Sequence, residues 1–205
     1  MLNLAIFVSG RGSNLKAILD SSACNEGKYC VNAVFSDKEQ CGAFDIARVC
    51  GIPTYTISKE SREGIISYKE LPTILQKLNI DLITLAGYLK KIPDEICSLY
   101  KNKMINIHPA LLPAFGGKGM YGMNVHKAVF DSSAKVSGAT VHFVNEVYDS
   151  GAIIMQKCVD ISGVMSPEEI AEKVLKVEHE IFPAAILKLA ESKVEIRNNR
   201  VYLID

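Results

Sequence analysis

The chain has 205 residues, 48% of them apolar, which suits one folded domain with a full core and excludes a disordered chain. Lys plus Arg and Asp plus Glu balance at 23 each, so no long-range field draws it to nucleic acid or an anionic membrane, and any anion site must be local. No apolar run reaches the length of a bilayer span, and Leu2 to Val8 leads straight into Gly10 without the flanks of a signal peptide.

The front half alternates β-branched runs with helical periods. Leu4 to Val8 reads as a strand and Ser13 to Cys24 as a helix. Val31 to Phe35 is a strand, Cys41 to Cys50 a helix, and Thr54 to Ile57 a strand. Arg62 to Leu78 reads as a helix interrupted by Pro72. Asp81 to Ala86 is a strand, Pro93 to Tyr100 a helix, and Met104 to Ile107 a strand. This alternation predicts an α/β chain with a parallel sheet and right-handed crossovers.

The pattern then changes. Gly116 to Asn124 carries four glycines and reads as a mobile loop, followed by a short helix over Val125 to Phe130. Gly138 to Val147 and Ala152 to Asp160 read as two long strands of an antiparallel hairpin, turned by Asp149-Ser150-Gly151. Ser166-Pro167-Glu168-Glu169 is a capping box with proline at the first helical position, opening a helix toward Glu191 that is bent at Pro183. Val194 to Ile196 and Val201 to Ile204 around Asn198-Asn199 suggest a last hairpin. No repeat or linker divides the chain, so residues 1–205 read as one domain.

The six cysteines form no CxxC pair and lie mostly among apolar neighbours, which fits a reduced cytosol and a cytoplasmic protein. The four histidines have no metal-ligand spacing, so no metal is expected.

Asn106-Ile107-His108-Pro109 sets an amide and an imidazole two residues apart at the end of an apolar run. Residues i and i+2 of an extended chain share a side, so the two groups can aim at one point, and Pro109 ends the strand. Acyl chemistry needs such a pair: a donor for a developing oxyanion and an imidazole for a proton. Alone, the tetrapeptide is better read as an Asn and a His opening a polar loop. Ser9-Gly10-Arg11-Gly12-Ser13-Asn14-Leu15 follows the first strand and opens the first helix, where backbone N–H groups and the helix terminus favour a phosphate. A dinucleotide loop is the rival, with Asp37 as a ribose-binding acid, but Leu15 stands where its third glycine would be.

Taken alone, Asp149 is a turn residue and His142 a sheet-face residue. Glu178 lies on or beside the apolar stripe of Ile170, Val174, Val177, Ile181 and Ala185. A half-buried carboxylate there calls for a partner, either an amine ligand or an internal Arg or Lys. Leu85-Ala86-Gly87-Tyr88-Leu89 is either an apolar pocket for an aromatic ring or ordinary packing at a strand end.

Order and spacing together carry more than any of these pieces. The run Ser9-Gly10-x-Gly12-Ser13-Asn14-Leu15, then Leu85-Ala86-Gly87-Tyr88 and Asn106-x-His108-Pro109-x-Leu111-Leu112-Pro113, resembles the phosphoribosylglycinamide formyltransferases. So do Thr140-Val141-His142-Phe143-Val144, Asp149-x-Gly151 and Glu178-His179-x-Ile181-Phe182-Pro183. The resemblance implies a formyltransferase fold, that is, a three-layer Rossmann-like, mostly parallel sheet with an antiparallel C-terminal hairpin. It implies that Asn106, His108 and Asp149 are catalytic, supported by His142. Gly12, Ser13 and Asn14 would hold the phosphate of glycinamide ribonucleotide and Glu178 its glycine end. Arg62, Leu89, Lys90, Ile92, Asn106, Asn145 and Val147 would line the site of 10-formyltetrahydrofolate, a co-substrate.

In the implied chemistry, the amine attacks the formyl carbon, while Asn106 and a protonated His108 hold the oxyanion. Asp149 raises the His108 pKa and orders a relay water. The partners would be these two small molecules, not nucleic acid or membrane, and the protein a monomer or homodimer. The chain departs from the family pattern in a longer Gly116–Asn124 loop, in Leu175 where some relatives have a basic residue, and in Lys90 where arginine is frequent. A formyl-folate hydrolase or a methionyl-tRNA formyltransferase would be expected to add a further domain. A mere nucleotide-binding module would leave Asn106, His108 and Asp149 without a purpose.

Overall fold

In the computed structural model, which describes residues 1–204, the chain divides into two compact units, Met1–Ile105 and Asn106–Asp205. No helix among the described residues is long and apolar enough to cross a membrane.

In the first unit β1 (Leu2–Val8) carries an unbroken apolar run from Leu4 to Val8, and those five residues are fully buried. Such a run belongs to a strand covered on both faces, where alternation would expose apolar groups. It pairs in parallel with β2 (Tyr29–Ser36) on one side and with β5 (Leu82–Leu85) on the other. Beyond β2 lie β3 (Thr54–Ser58) and β4 (Ile65–Ser67), both parallel, giving the order β4-β3-β2-β1-β5. The chain thus moves outward from β1 on one side and resumes on the other. Such a reversal opens a crevice at the carboxyl ends of the central strands. Phe7 stacks on Phe35 at 5.0 Å and meets the edge of Tyr88 at 5.5 Å, which fills the layer behind that edge.

The helices of this unit are α1 (Ser13–Leu19), α2 (Ser22–Asn25), α3 (Gly42–Val49), α4 (Leu71–Lys77) and α5 (Asp94–Leu99). Two expectations need correction. The helix expected over Ser13 to Cys24 is two helices, because the Ser21 hydroxyl accepts the Cys24 N–H and restarts the helix as an N-cap. The helix expected over Arg62 to Leu78 begins only at Leu71. The β-branched pair Ile65-Ile66 joins β3 instead, and Pro72 opens α4 rather than interrupting it.

Strand β6 (Met104–His108) carries the chain into the second unit, which contains α6 (Met123–Asp131), β7 (Val136–Phe143), β8 (Ile153–Asp160), α7 (Pro167–Ala190), β9 (Val194–Arg197) and β10 (Arg200–Leu203). β7 and β8 are antiparallel, with Thr140 opposite Gln156 and a register shift between Val141 and His142. Asp149-Ser150-Gly151 is not their turn, as was expected. β7 stops at Phe143, whose N–H donates to Ala152 O at 2.9 Å, and residues 144–151 form a longer loop. That closure forces the glycine: a Cβ on Gly151 would lie 1.7 Å from the Phe143 carbonyl oxygen.

The long helix α7 starts as expected. Ser166 Oγ accepts the Glu169 N–H at 3.3 Å, and Glu169 Oε2 accepts the Met165 N–H at 3.2 Å. Its buried stripe includes Ile170, Val174, Val177, Glu178, Ile181, Phe182 and Ala185, and it packs on β7, β8 and α6. The β9–β10 hairpin turns at Asn198 and Asn199, both at positive φ, as a tight two-residue turn requires. Parallel pairings dominate and the C-terminal hairpin is antiparallel, so the expected α/β, mostly parallel architecture is borne out.

Candidate active site

Asn106 and His108 occupy alternate positions of β6 and turn to the same side, as the i, i+2 spacing demands. There they meet β7 and the 144–151 loop. Asn106 Nδ2 lies 3.1 Å from His142 Nε2. The other ring nitrogen of His142, Nδ1, lies 2.8 Å from the Phe143 carbonyl oxygen and must donate to it. In the neutral ring Nε2 is then the acceptor, and Asn106 Nδ2 donates to it. One hydrogen of the Asn106 amide is thereby fixed, and the other is left for a ligand oxygen.

His108 is 3% exposed, and its Nε2 lies 2.8 Å from the Phe115 carbonyl oxygen. That contact assigns the proton of the neutral ring to Nε2 and leaves the Nδ1 lone pair facing Asp149 Oδ2 at 3.6 Å. Asp149 Oδ1 stands 3.6 Å from His142 Nε2. Asp149 Oδ2 also accepts the Gly117 N–H at 2.8 Å. Asp149 itself sits at φ 53°, a conformation Asp tolerates better than most residues. The loop that presents it is closed by Asn145, whose Oδ1 accepts both the Val147 N–H and the Ser150 hydroxyl at 3.0 Å.

The electrostatics follow from burial. Desolvation holds the His108 imidazole below its ordinary value, against the opposing pull of the Asp149 charge and the Phe115 carbonyl. That direction favours the neutral ring at rest. Asp149 does raise the His108 pKa, but burial outweighs it. For Asp149 burial works upward, yet the adjacent His142 ring, the hydrogen bond from the Gly117 N–H and the nearby His108 imidazole bring its carboxyl below the usual range. The cluster is an ionised carboxylate beside a neutral imidazole with an open nitrogen. Such a ring can take a proton at Nδ1 and become an ion pair with Asp149.

The remaining candidates stand as follows. Glu178 of the second unit is 8% exposed, within the apolar stripe of α7, while Lys176 faces solvent. Val147 is exposed on the Asp149 loop. In the first unit Gly12 caps α1 at φ 83°, and a Cβ there would lie 2.7 Å from the Ala43 side chain, so the loop rests directly on α3. Ser13 is exposed and Asn14 buried in the first turn of α1. The loop is tied to the segment after β5: Ser9 N–H donates to Gly87 O, and the Leu89 N–H donates to Ser9 Oγ at 3.0 Å. The Ser9 hydroxyl donates to Asp37 at 2.5 Å, so Asp37 serves this loop rather than standing open. Leu89 and Lys90 are exposed, Ile92 is 3% exposed, and Arg62 is an exposed residue 3.9 Å from Glu60. Among the described residues no group of His, Cys, Asp and Glu could hold a metal ion.

Two participants escape sequence reasoning: the Phe115 carbonyl and the Gly117 N–H. Both are main-chain atoms, which no side-chain pattern announces. The only signal was the glycine-rich run after Leu112-Pro113.

Residues 2–186 match the formyl transferase family model. The chain is 43% identical over 205 residues to the chloroplastic phosphoribosylglycinamide formyltransferase of Arabidopsis thaliana, covering 98% of this chain and 70% of that one. It is 31% identical to the phosphoribosylglycinamide formyltransferase of Escherichia coli (strain K12), covering 98% and 93%. The crystal structure of glycinamide ribonucleotide transformylase 1 from Symbiobacterium toebii matches with a TM-score of 0.89 at 33% identity, covering all of this chain and 95% of that one. With the family model spanning most of its length and the same fold in solved relatives, this chain belongs to the formyl transferase family.

Proposed function

We propose that this chain transfers the formyl group of 10-formyltetrahydrofolate to the amine of glycinamide ribonucleotide. The observation that carries the reading is the convergence of Asn106, His108, His142 and Asp149 in a chain of this family.

The amine nitrogen adds to the formyl carbon, and the carbonyl electron pair moves to oxygen. The second Asn106 Nδ2 hydrogen is the donor for that oxyanion. As the nitrogen becomes cationic it must lose a proton, and His108 Nδ1 is the open basic site beside Asp149. The imidazolium so formed stabilises the oxyanion together with Asn106 and is itself held by the Asp149 carboxylate. The proton then passes, through an ordered water, to the folate nitrogen as its bond to the formyl carbon breaks. Formylated amine and tetrahydrofolate leave, and the side chains return to their starting state. The chemistry asks for no resident metal.

Gly12, Ser13 and Asn14 take the ribose phosphate, and Glu178 takes the glycine amine end of the nucleotide. Arg62, Leu89, Lys90, Ile92, Asn145 and Val147 line the folate site with Asn106. Residues 1–205 serve as a single formyltransferase domain, acting as a monomer or homodimer on small molecules. All six cysteines are free, two of them exposed, which supports a reducing compartment such as the cytoplasm.

The test is an absorbance assay of folate deformylation by the purified protein with and without glycinamide ribonucleotide. Turnover that requires the ribonucleotide is the expected result. Equal turnover without it would make the protein a hydrolase, and none in either case would sink the reading.

A further inference from the structure

We infer that Gln156 is a positioning residue for His108, acting through Thr140 and Leu112. The inference rests on the formyl-transfer reading above and deepens it.

Gln156 lies on β8 directly opposite Thr140 of β7. Its Nε2 donates to Thr140 Oγ1 and to the Leu112 carbonyl oxygen, both at 2.9 Å. Thr140 is fully buried, and its hydroxyl donates to Ala110 O at 2.7 Å while accepting the Leu112 N–H at 3.1 Å. A hydroxyl has one hydrogen and two lone pairs, and here all three are used. Together the two side chains fix the Ala110 carbonyl and both main-chain groups of Leu112.

That stretch of backbone runs from His108 to Phe115, the residue whose carbonyl orients the imidazole. The Ala114 N–H closes a turn on Leu111 O at 3.1 Å, so little slack remains between the held Leu112 and Phe115. His108 is thus held from two directions: by its own strand and by a carbonyl whose place is set through the Gln156 amide. A displacement of Leu112 moves the Phe115 oxygen, and the ring must turn or lose its Nε2 partner.

Gln156 is exposed on its outer side, where it lines an open cavity of about 430 Å³ with Gly151, Ala152, Ile153, Asn199, Arg200 and Val201. Truncating it leaves a space that water can enter rather than a sealed void, so the variant is expected to fold. A glutamate at this position would set a carboxylate against the Leu112 carbonyl, a sharper perturbation of the same shape.

The experiment compares the full-length parent with Gln156→Ala and Gln156→Glu. Four quantities are measured: kcat, both KM values, the melting temperature, and the ¹⁵N-detected titration of the His108 ring. Loss of one neutral hydrogen-bonding group corresponds to about a three- to tenfold fall in kcat. For Gln156→Ala that fall is expected with both KM values within twofold and an unchanged melting temperature. The His108 titration should move to lower pH, because the Phe115 carbonyl that favours the charged ring is loosened. Gln156→Glu should lose more. A kcat and ring titration indistinguishable from the parent would overturn the inference. So would a kcat that falls in step with the melting temperature while the His108 signals stay in place, since that is the mark of a purely structural residue. If the parent itself shows no formyl transfer, the functional reading fails, and the ring titration alone decides whether Gln156 positions His108.

Discussion

Replacing Asp149 by asparagine removes one negative charge and little else. The amide oxygen still accepts the Gly117 N–H, and asparagine tolerates the φ of 53° at this position, so the loop should keep its path. What is lost is the attraction between the carboxylate and an imidazolium at His108, 3.6 Å away. Coulomb's law puts that attraction at about 1 kcal/mol in the dielectric of water and about 5 kcal/mol at an effective value near 20. With His108 buried and Asp149 nearly so, the true value lies between these limits. If the transition state carries the imidazolium, turnover should fall between about 10- and 1000-fold. The His108 titration should move further down from its already depressed position. The assay is kcat at saturating substrates from pH 6 to 9, with the ring nitrogens followed by NMR in the same variant. Turnover within about threefold of the parent, with an unmoved His108 titration, would refute the ion-pair argument.

Other expectations follow from other parts of the molecule. Glu178→Ala should raise KM for the amine substrate more than KM for the folate, and equal changes in steady-state kinetics would count against direct contact. Gly151→Ala drives a Cβ to 1.7 Å from the Phe143 carbonyl oxygen, so it should cost at least about 1–3 kcal/mol in urea unfolding; a neutral result would mean the loop closure is wrongly described. His108, His126 and His179 are all held below their ordinary 6.5 by burial. The unfolded chain therefore binds protons more readily than the folded one. Stability is full above about pH 6.5 and is lost as the pH falls through that value toward the depressed ones, by up to ~1.4 kcal/mol per pH unit for each ring. Melting temperatures that are flat or rising on acidification from pH 7 to 5 would contradict this.

What the sequence made legible depended on whether a residue's partner was local. The unbroken run from Leu4 to Val8 could only be a strand covered on both faces, and it is one. Ser166 and Glu169 cap a helix within one turn of themselves, so the start of α7 could be read directly. Pro72 was read as interrupting a helix, but proline also begins helices, and the choice was made by the pairing of Ile65-Ile66 with β3, a tertiary fact. Asp149-Ser150-Gly151 has good turn chemistry, but Phe143 had already closed the hairpin on Ala152, so the tripeptide was free to present a carboxylate instead. In the site, Asn106 and His108 were legible as a pair because strand geometry fixes their direction. The burial that opposes the Asp149 charge at His108 was not, because it depends on tertiary packing around the ring.

That balance bears on how the proposed reaction is driven. An imidazolium waiting at His108 would have no lone pair for the proton of an attacking amine, and the attack would stall at a cationic nitrogen. A neutral ring with Nε2 committed to Phe115 and Nδ1 open has the lone pair ready. Burial disfavours the resulting imidazolium, and the Asp149 charge opposes that effect. The Asp149 carboxylate is ionised throughout but meets a positive partner only once the proton arrives, so in the proposed reaction its contribution is greater in the transition state than in the resting enzyme. An interaction of that kind accelerates the chemical step, whereas one present equally in both states would only tighten binding. In the proposed reaction, burial of His108 and ionisation of Asp149 would thus act together. Relieving the burial should therefore erode kcat even with the carboxylate intact.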